Sequence, residues 1–185
     1  NPRERTERNR PDTKRRNETG RRSDGWSEGV GAGDVDNDGS THPLVTSWGG
    51  LALNRNIGGK RCENVTKGAH LDQNRARYNT GCAFLDYDND GRLDIFVANG
   101  HVFPQVDTVD VGARYKEPLL LHRNNRDGTF DEVSKEAALA DLPLHSRRGA
   151  AFGDIFNTGN IDVVLLNVGQ PLTLLMNMNR YGHQR

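Results

Sequence analysis

A nine-residue acidic loop, used more than once, constrains this chain more than any other feature. Asp86-Tyr87-Asp88-Asn89-Asp90-Gly91-Arg92-Leu93-Asp94 places four carboxylates at relative positions 1, 3, 5 and 9 around a glycine. Alternate aspartates on a tight turn aim their oxygens inward, and the glycine permits the sharp bend. Ca²⁺ takes six to eight oxygens at about 2.3–2.6 Å, which this pattern can supply. Without a cation or open water, four negative charges would crowd one loop. Asp34-Val35-Asp36-Asn37-Asp38-Gly39 repeats the first six positions, and Asp154 to Asp162 is a degenerate third copy with Phe156 and Thr158 in place of carboxylates.

The flanks exclude a helix-loop-helix calcium site. Such a site needs helices on both sides and a bidentate Glu at position 12, where this chain has Val45 and Val97. Gly81-Cys82-Ala83-Phe84-Leu85 precedes the second loop and Ile95-Phe96-Val97-Ala98 follows it, runs of strand length without a 3.6-residue period. Val163-Val164-Leu165-Leu166 follows the third loop in the same way. Each loop is therefore expected to join two β-strands.

The repeat extends well beyond the loops. Leu53-Asn54-Arg55-Asn56 and Val65 to Leu71 match Leu121-His122-Arg123-Asn124 and Val133 to Leu139 at an offset of 68, the same offset that separates Asp86 from Asp154. Asp34 and Asp86 are 52 positions apart, so the second unit carries 16 further residues, located near Gly100 to Pro118 as a long polar loop. The units fall near 26–77, 78–145 and 146–185, with the third incomplete. Three or four short strands per unit of about 50 residues is the pattern of a propeller blade.

At this point the chain resembles the FG-GAP/VCBS repeat family, and within it the cartilage acidic protein type and its bacterial relatives. The resemblance rests on Gly81 to Asn99, Leu121 to Phe130 and Arg148 to Asp154, and it covers roughly residues 25–179. It implies an all-β fold, a partial β-propeller of two full blades and part of a third. It also implies Ca²⁺ ligands at Asp86, Asp88, Asp90 and Asp94, with the backbone carbonyl of Arg92 as a fifth contact. In the first loop Asp34, Asp36 and Asp38 match, but His42 stands at the ninth position. Imidazole is a poor Ca²⁺ ligand, so that site should be weaker or completed by water. The third loop, with Asp154 and Asp162, should be a turn held by ordinary hydrogen bonds, with little or no metal.

Composition fits a loop-rich β protein with a thin core. Of 185 residues 21 are glycine, only 34% are hydrophobic, and the mean hydropathy is −0.80. Bound calcium is thus expected to contribute to folding. A closed ring uses four to eight blades, so further blades of a longer chain are expected, or an open stack whose edges need a partner. Residues 1–24 hold 9 basic and 5 acidic side chains and almost no apolar ones, which reads as a disordered basic arm before a repeat region at 25–185. With no interleaved aromatic residue in the arm and an acidic body, nucleic acid is not an expected partner.

Two cysteines exclude a disulfide framework and a four-thiolate zinc site; Cys82 reads as a buried thiol, with a Cys62–Cys82 disulfide as the alternative. No apolar run approaches the roughly 20 residues of a membrane span. Calcium loops of modest affinity saturate at extracellular millimolar Ca²⁺, which implies a secreted, extracellular or periplasmic setting. The six histidines include no H-x-x-x-H pair, and no G-x-S-x-G elbow occurs. No catalytic residue is assigned, and the expectation is a non-enzymatic calcium-binding scaffold for extracellular recognition or adhesion, with a protein or glycan ligand bound through loops. The insertion, with His101, Phe103, Gln105, Asp107, Asp110, Arg114 and Tyr115, is the natural contact loop. The alternative is a carbohydrate-binding or accessory module of a secreted enzyme.

Overall fold

Short apolar runs separated by tight turns can bury themselves only by pairing with the next run, and each unit does so as an antiparallel meander. The computed structural model describes residues 27–73 and 77–178, so the arm at 1–24 lies outside the described residues. The first sheet is Ser27–Gly33 (β1), His42–Ser47 (β2), Gly50–Ile57 (β3) and Arg61–Asn64 (β4), in that order. The second is Asn79–Leu85 (β5), Asp94–Asn99 (β6), Leu120–Asn124 (β7) and Phe130–Glu132 (β8). The third has Arg147–Gly153 (β9), Asp162–Asn167 (β10) and Thr173–Leu175 (β11). Among the described residues the fold is all-β, in three antiparallel sheets of which none closes on itself.

The second sheet lies between the other two, which explains the unbroken apolar run of β6. All six of its residues are buried. Ile95 and Val97 join Leu44, Leu53 and Leu120 in one core, while Phe96 and Ala98 join Leu121, Val163 and Leu165 in the other. The period-2 alternation of a strand thus serves two cores. Fully burying each large apolar side chain stabilises by about 1.5–3 kcal/mol, and a one-residue slip would exchange the two sets, so packing holds the register.

The first strands of successive sheets lie against one another. On β1, Gly29, Gly31 and Gly33 occupy alternate positions and face β5: a Cβ at Gly33 would fall 2.7 Å from the Phe84 ring, and one at Gly31 3.2 Å from Cys82 Sγ. Cys62 and Cys82 are separate thiols, and burial pushes the Cys82 thiol up to about 12.

The 68-residue sequence offset reappears as repeated hydrogen bonds. Leu53 N–H donates to Thr66 Oγ1 and Leu121 N–H to Ser134 Oγ, both at 2.9 Å. Leu71 N–H donates to the Thr66 carbonyl and Leu139 N–H to that of Ser134. His70 and Ala138 share a left-handed backbone, with φ of 62° and 57°.

The insertion is more ordered than a polar loop implies. Pro104–Thr108 forms a 3₁₀ turn, and Val106, Ala113 and Glu117 are buried. The Glu117 carboxylate accepts from the N–H groups of Tyr78 and Arg114, and its carbonyl accepts from Arg147 Nη1 at 2.8 Å. Its base is thereby tied into the third unit.

Candidate metal centre

The three loops share one backbone conformation, written by their own side chains. Position 1 is an aspartate whose two oxygens accept the N–H groups of positions 5 and 6, in Asp34, Asp86 and Asp154 alike. Position 4 is left-handed at Asn37, Asn89 and Asn157 (φ 56°, 59° and 53°), and position 6 is Gly39, Gly91 and Gly159 (φ 83°, 84° and 85°). Asparagine and glycine tolerate that region best. Since Gly33 pairs with His42, Leu85 with Asp94 and Gly153 with Asp162, all three loops leave their sheets at equivalent points.

Side chains also link loop to loop. Asn37 donates to the Gly91 carbonyl at 3.2 Å and Asn89 to Asn160 Oδ1 at 2.9 Å. Buried Asn124 donates to the carbonyls of Val35 (2.7 Å) and Leu93 (3.1 Å), and Asn177 donates to that of Tyr87 at 3.0 Å. The acidic turns are therefore aligned along one edge of adjacent sheets.

In the second loop Asp86, Asp88 and Asp94 come together, with one oxygen from each within 4.8 Å of the others. Asp94 opens β6 and is 1% exposed. Its oxygens accept the N–H groups of Tyr87 (2.9 Å) and Asn124 (2.8 Å). Burial pushes its carboxyl up to about 7 against those two hydrogen bonds, and the charges of Asp88 and Asp86 push the same way. Asp88 is also raised, first by burial and then by Asp90 and Asp86. Its Oδ1 is buried without a hydrogen-bond partner. An all-oxygen donor set with an orphaned carboxylate oxygen fits a hard divalent cation. Asp88 lines a cleft of about 630 Å³.

Asp90 stands apart from this cluster. Its Oδ2 accepts from Arg126 Nε (3.1 Å) and Nη2 (2.9 Å), and its Oδ1 accepts the Arg92 N–H at 2.8 Å. Arg126 carries no metal-ligand signature in sequence, and its role depends on β7 and β8 folding back over the loop. Asn124 had a visible signal, since it ends the repeated Leu-x-Arg-Asn segment.

In the first loop Asp34, Asp36, Asp38 and His42 gather, again with one ligand atom each within 4.8 Å of the others. Arg55 Nη2 binds Asp36 Oδ2 at 2.8 Å. A hydrogen bond from the Ser40 N–H holds the exposed Asp38 carboxyl below the usual range. The third loop forms no such cluster among the described residues. There Asp162 accepts from the N–H groups of Ile155 (3.0 Å) and Asn177 (2.9 Å), and Phe156 points outward.

No family model matches the chain. A stretch of 68 residues, 37% of the chain, is 34% identical to Cartilage acidic protein 1 of Xenopus tropicalis. The match spans a tenth of that protein's length.

Proposed function

We propose that this chain is a calcium-stabilised segment of a β-propeller of the FG-GAP/VCBS type, an exported scaffold for recognition or adhesion with no catalysis of its own. The second loop carries the proposal: Asp86, Asp88 and Asp94 converge, and Asp88 Oδ1 lacks a partner. Bound there, Ca²⁺ would neutralise the crowded carboxylates and lock the β5–β6 turn, which also positions Asn124 between two loops. Asp90 would act through Arg126, bracing the turn from outside. Resemblance to a protein named for cartilage favours an extracellular setting.

Further blades in a longer chain are supported by the third sheet. Its run Val163–Leu166 has the apolar pattern of doubly covered β6, yet Val163 and Leu165 are buried while Leu166 is 61% exposed. Leu174, Met176 and Met178 are exposed beside it. A neighbouring blade would cover that face.

Thermal unfolding of the full chain in 1 mM Ca²⁺ should show a melting temperature several degrees above that in chelator, by the stabilisation a ligand gives the folded state alone. Asp88→Ala should abolish the difference. An equal melting temperature in both conditions would sink the calcium assignment.

A glycan-binding reading has its own observation. Trp48, Tyr78 and His101 line a cleft of about 500 Å³ with Gln105 and Thr108 from the insertion. Tyr78 and His101 pack edge to face at 4.5 Å, and Trp48 is 42% exposed. Aromatic faces with adjacent polar groups suit sugar rings. Under this reading Trp48→Ala loses binding on a glycan array by tenfold or more, whereas a protein ligand would survive competition by free sugars.

A further inference from the structure

The ninth position of the first loop is histidine where the other two loops have aspartate, and the structure gives that exchange a chemical meaning. The His42 ring is 1% exposed. Its Nδ1 lies 2.6 Å from the Ser40 carbonyl oxygen. A carbonyl only accepts, so Nδ1 carries a proton, and it is Nε2 that is left to offer its lone pair to a metal ion. That Nε2 has no hydrogen-bond partner and stands 3.5 Å from Asp36 Oδ2, another acceptor. Asp36 Oδ1 is likewise buried and unpartnered. Burying acceptors without a donor is costly, and a shared cation relieves it.

The surroundings complete the case. A backbone carbonyl on the far ring nitrogen is the arrangement that orients metal-ligating imidazoles. Arg55 holds Asp36 Oδ2 at 2.8 Å, so three carboxylates and one guanidinium leave a charge of −2 for the ion to meet. Two ligands each about 2.0–2.1 Å from a tetrahedral centre stand about 3.4 Å apart, close to the 3.5 Å between His42 Nε2 and Asp36 Oδ2. A cavity of about 290 Å³ bounded by Asp36, His42 and Arg55 gives access.

The geometry points to a second, chemically distinct metal site in the first loop: a first-row transition dication of the Zn²⁺ class, held by His42 Nε2, Asp36 and the carboxylates of Asp34 and Asp38. Imidazole favours such ions while adding little for Ca²⁺. The inference deepens the reading of these turns as metal loops, and assigns different ions to the first and second.

Calorimetric titration of Zn²⁺ into the full chain, in millimolar Ca²⁺, tests it. One Zn²⁺ should bind per chain, and His42→Asn should weaken binding about 100-fold or more. Co²⁺ in place of Zn²⁺ should give visible d–d bands and a hyperfine-shifted Nδ1–H resonance in the wild type, a readout independent of whether the variant folds. His42→Asp should exchange Zn²⁺ binding for a second Ca²⁺. Zinc binding should persist in Asp88→Ala, which separates this outcome from failure of calcium at the second loop. No zinc uptake in calcium-saturated protein, uptake unchanged by His42→Asn, or a Co²⁺ form without the shifted imidazole resonance would each overturn the assignment.

Discussion

Gly100→Ala should destabilise the protein by about 3–5 kcal/mol, combining backbone strain with overpacking. Gly100 has φ of 142°, a conformation that L side chains rarely adopt. A Cβ there would fall 2.5 Å from Ser146 Cα and 2.7 Å from the Arg147 nitrogen. Both are backbone atoms at the start of β9, so no side-chain rotation can relieve the clash. Gly100 N–H also donates to the Tyr78 carbonyl at 3.0 Å, and Ser146 Oγ donates to the His101 carbonyl at 2.7 Å, which pins both segments. Arg147, 1% exposed and bound to the carbonyls of Glu117 and Pro143, would be displaced with them. Chemical denaturation of Gly100→Ala against Gly81→Ala provides the check, since a Cβ at Gly81 meets nothing within 4 Å. Similar midpoints for the two variants would refute the close approach.

Calcium affinity should fall about 50-fold between pH 7 and pH 5, because one proton competes with the ion at Asp94, half protonated already at pH 7. The sign follows from the buried carboxyl, which is pushed up to about 7 when no metal is bound. Ca²⁺ requires the ionised form, so protonation below that value opposes binding. In metal-free protein the same group acts in the opposite direction. Its folded value lies above the unfolded one near 3.8, so its contribution to stability is present below about 4 and lost as the pH rises through about 7. Titration calorimetry with Ca²⁺ at stepped pH measures the first effect, and metal-free melting of wild type against Asp94→Asn isolates the second. A calcium affinity flat from pH 7 to pH 5 would contradict the placement of Asp94 in the site.

Much of the turn chemistry was legible because it is local. The aspartate at position 1 caps N–H groups four and five residues on, and the asparagine and glycine at positions 4 and 6 take left-handed backbone, all within one contiguous segment. The strand flanks and the 68-residue offset were legible for the same reason, since Thr66 and Ser134 repeat one bond within equivalent segments. The contacts within the second loop were less legible than its turn. Asp86, Asp88 and Asp94 meet, while Asp90 is taken by Arg126, which lies 36 residues away. The insertion read as a polar loop because its buried contacts, Glu117 with Tyr78 and Arg147, join residues 39 and 30 positions apart.

The sequence by itself determined the three acidic turns, the strands on either side and the repeat that relates them, since backbone preference and hydrogen bonding within a few residues suffice. Only the tertiary structure decided that β6 serves two cores, that Asn124 reaches across 89 residues to the Val35 carbonyl, and that His42 is buried with Nε2 facing Asp36. Those contacts depend on how sheets stack, and stacking is settled by apolar packing and close backbone approach between units, which one unit's pattern does not encode.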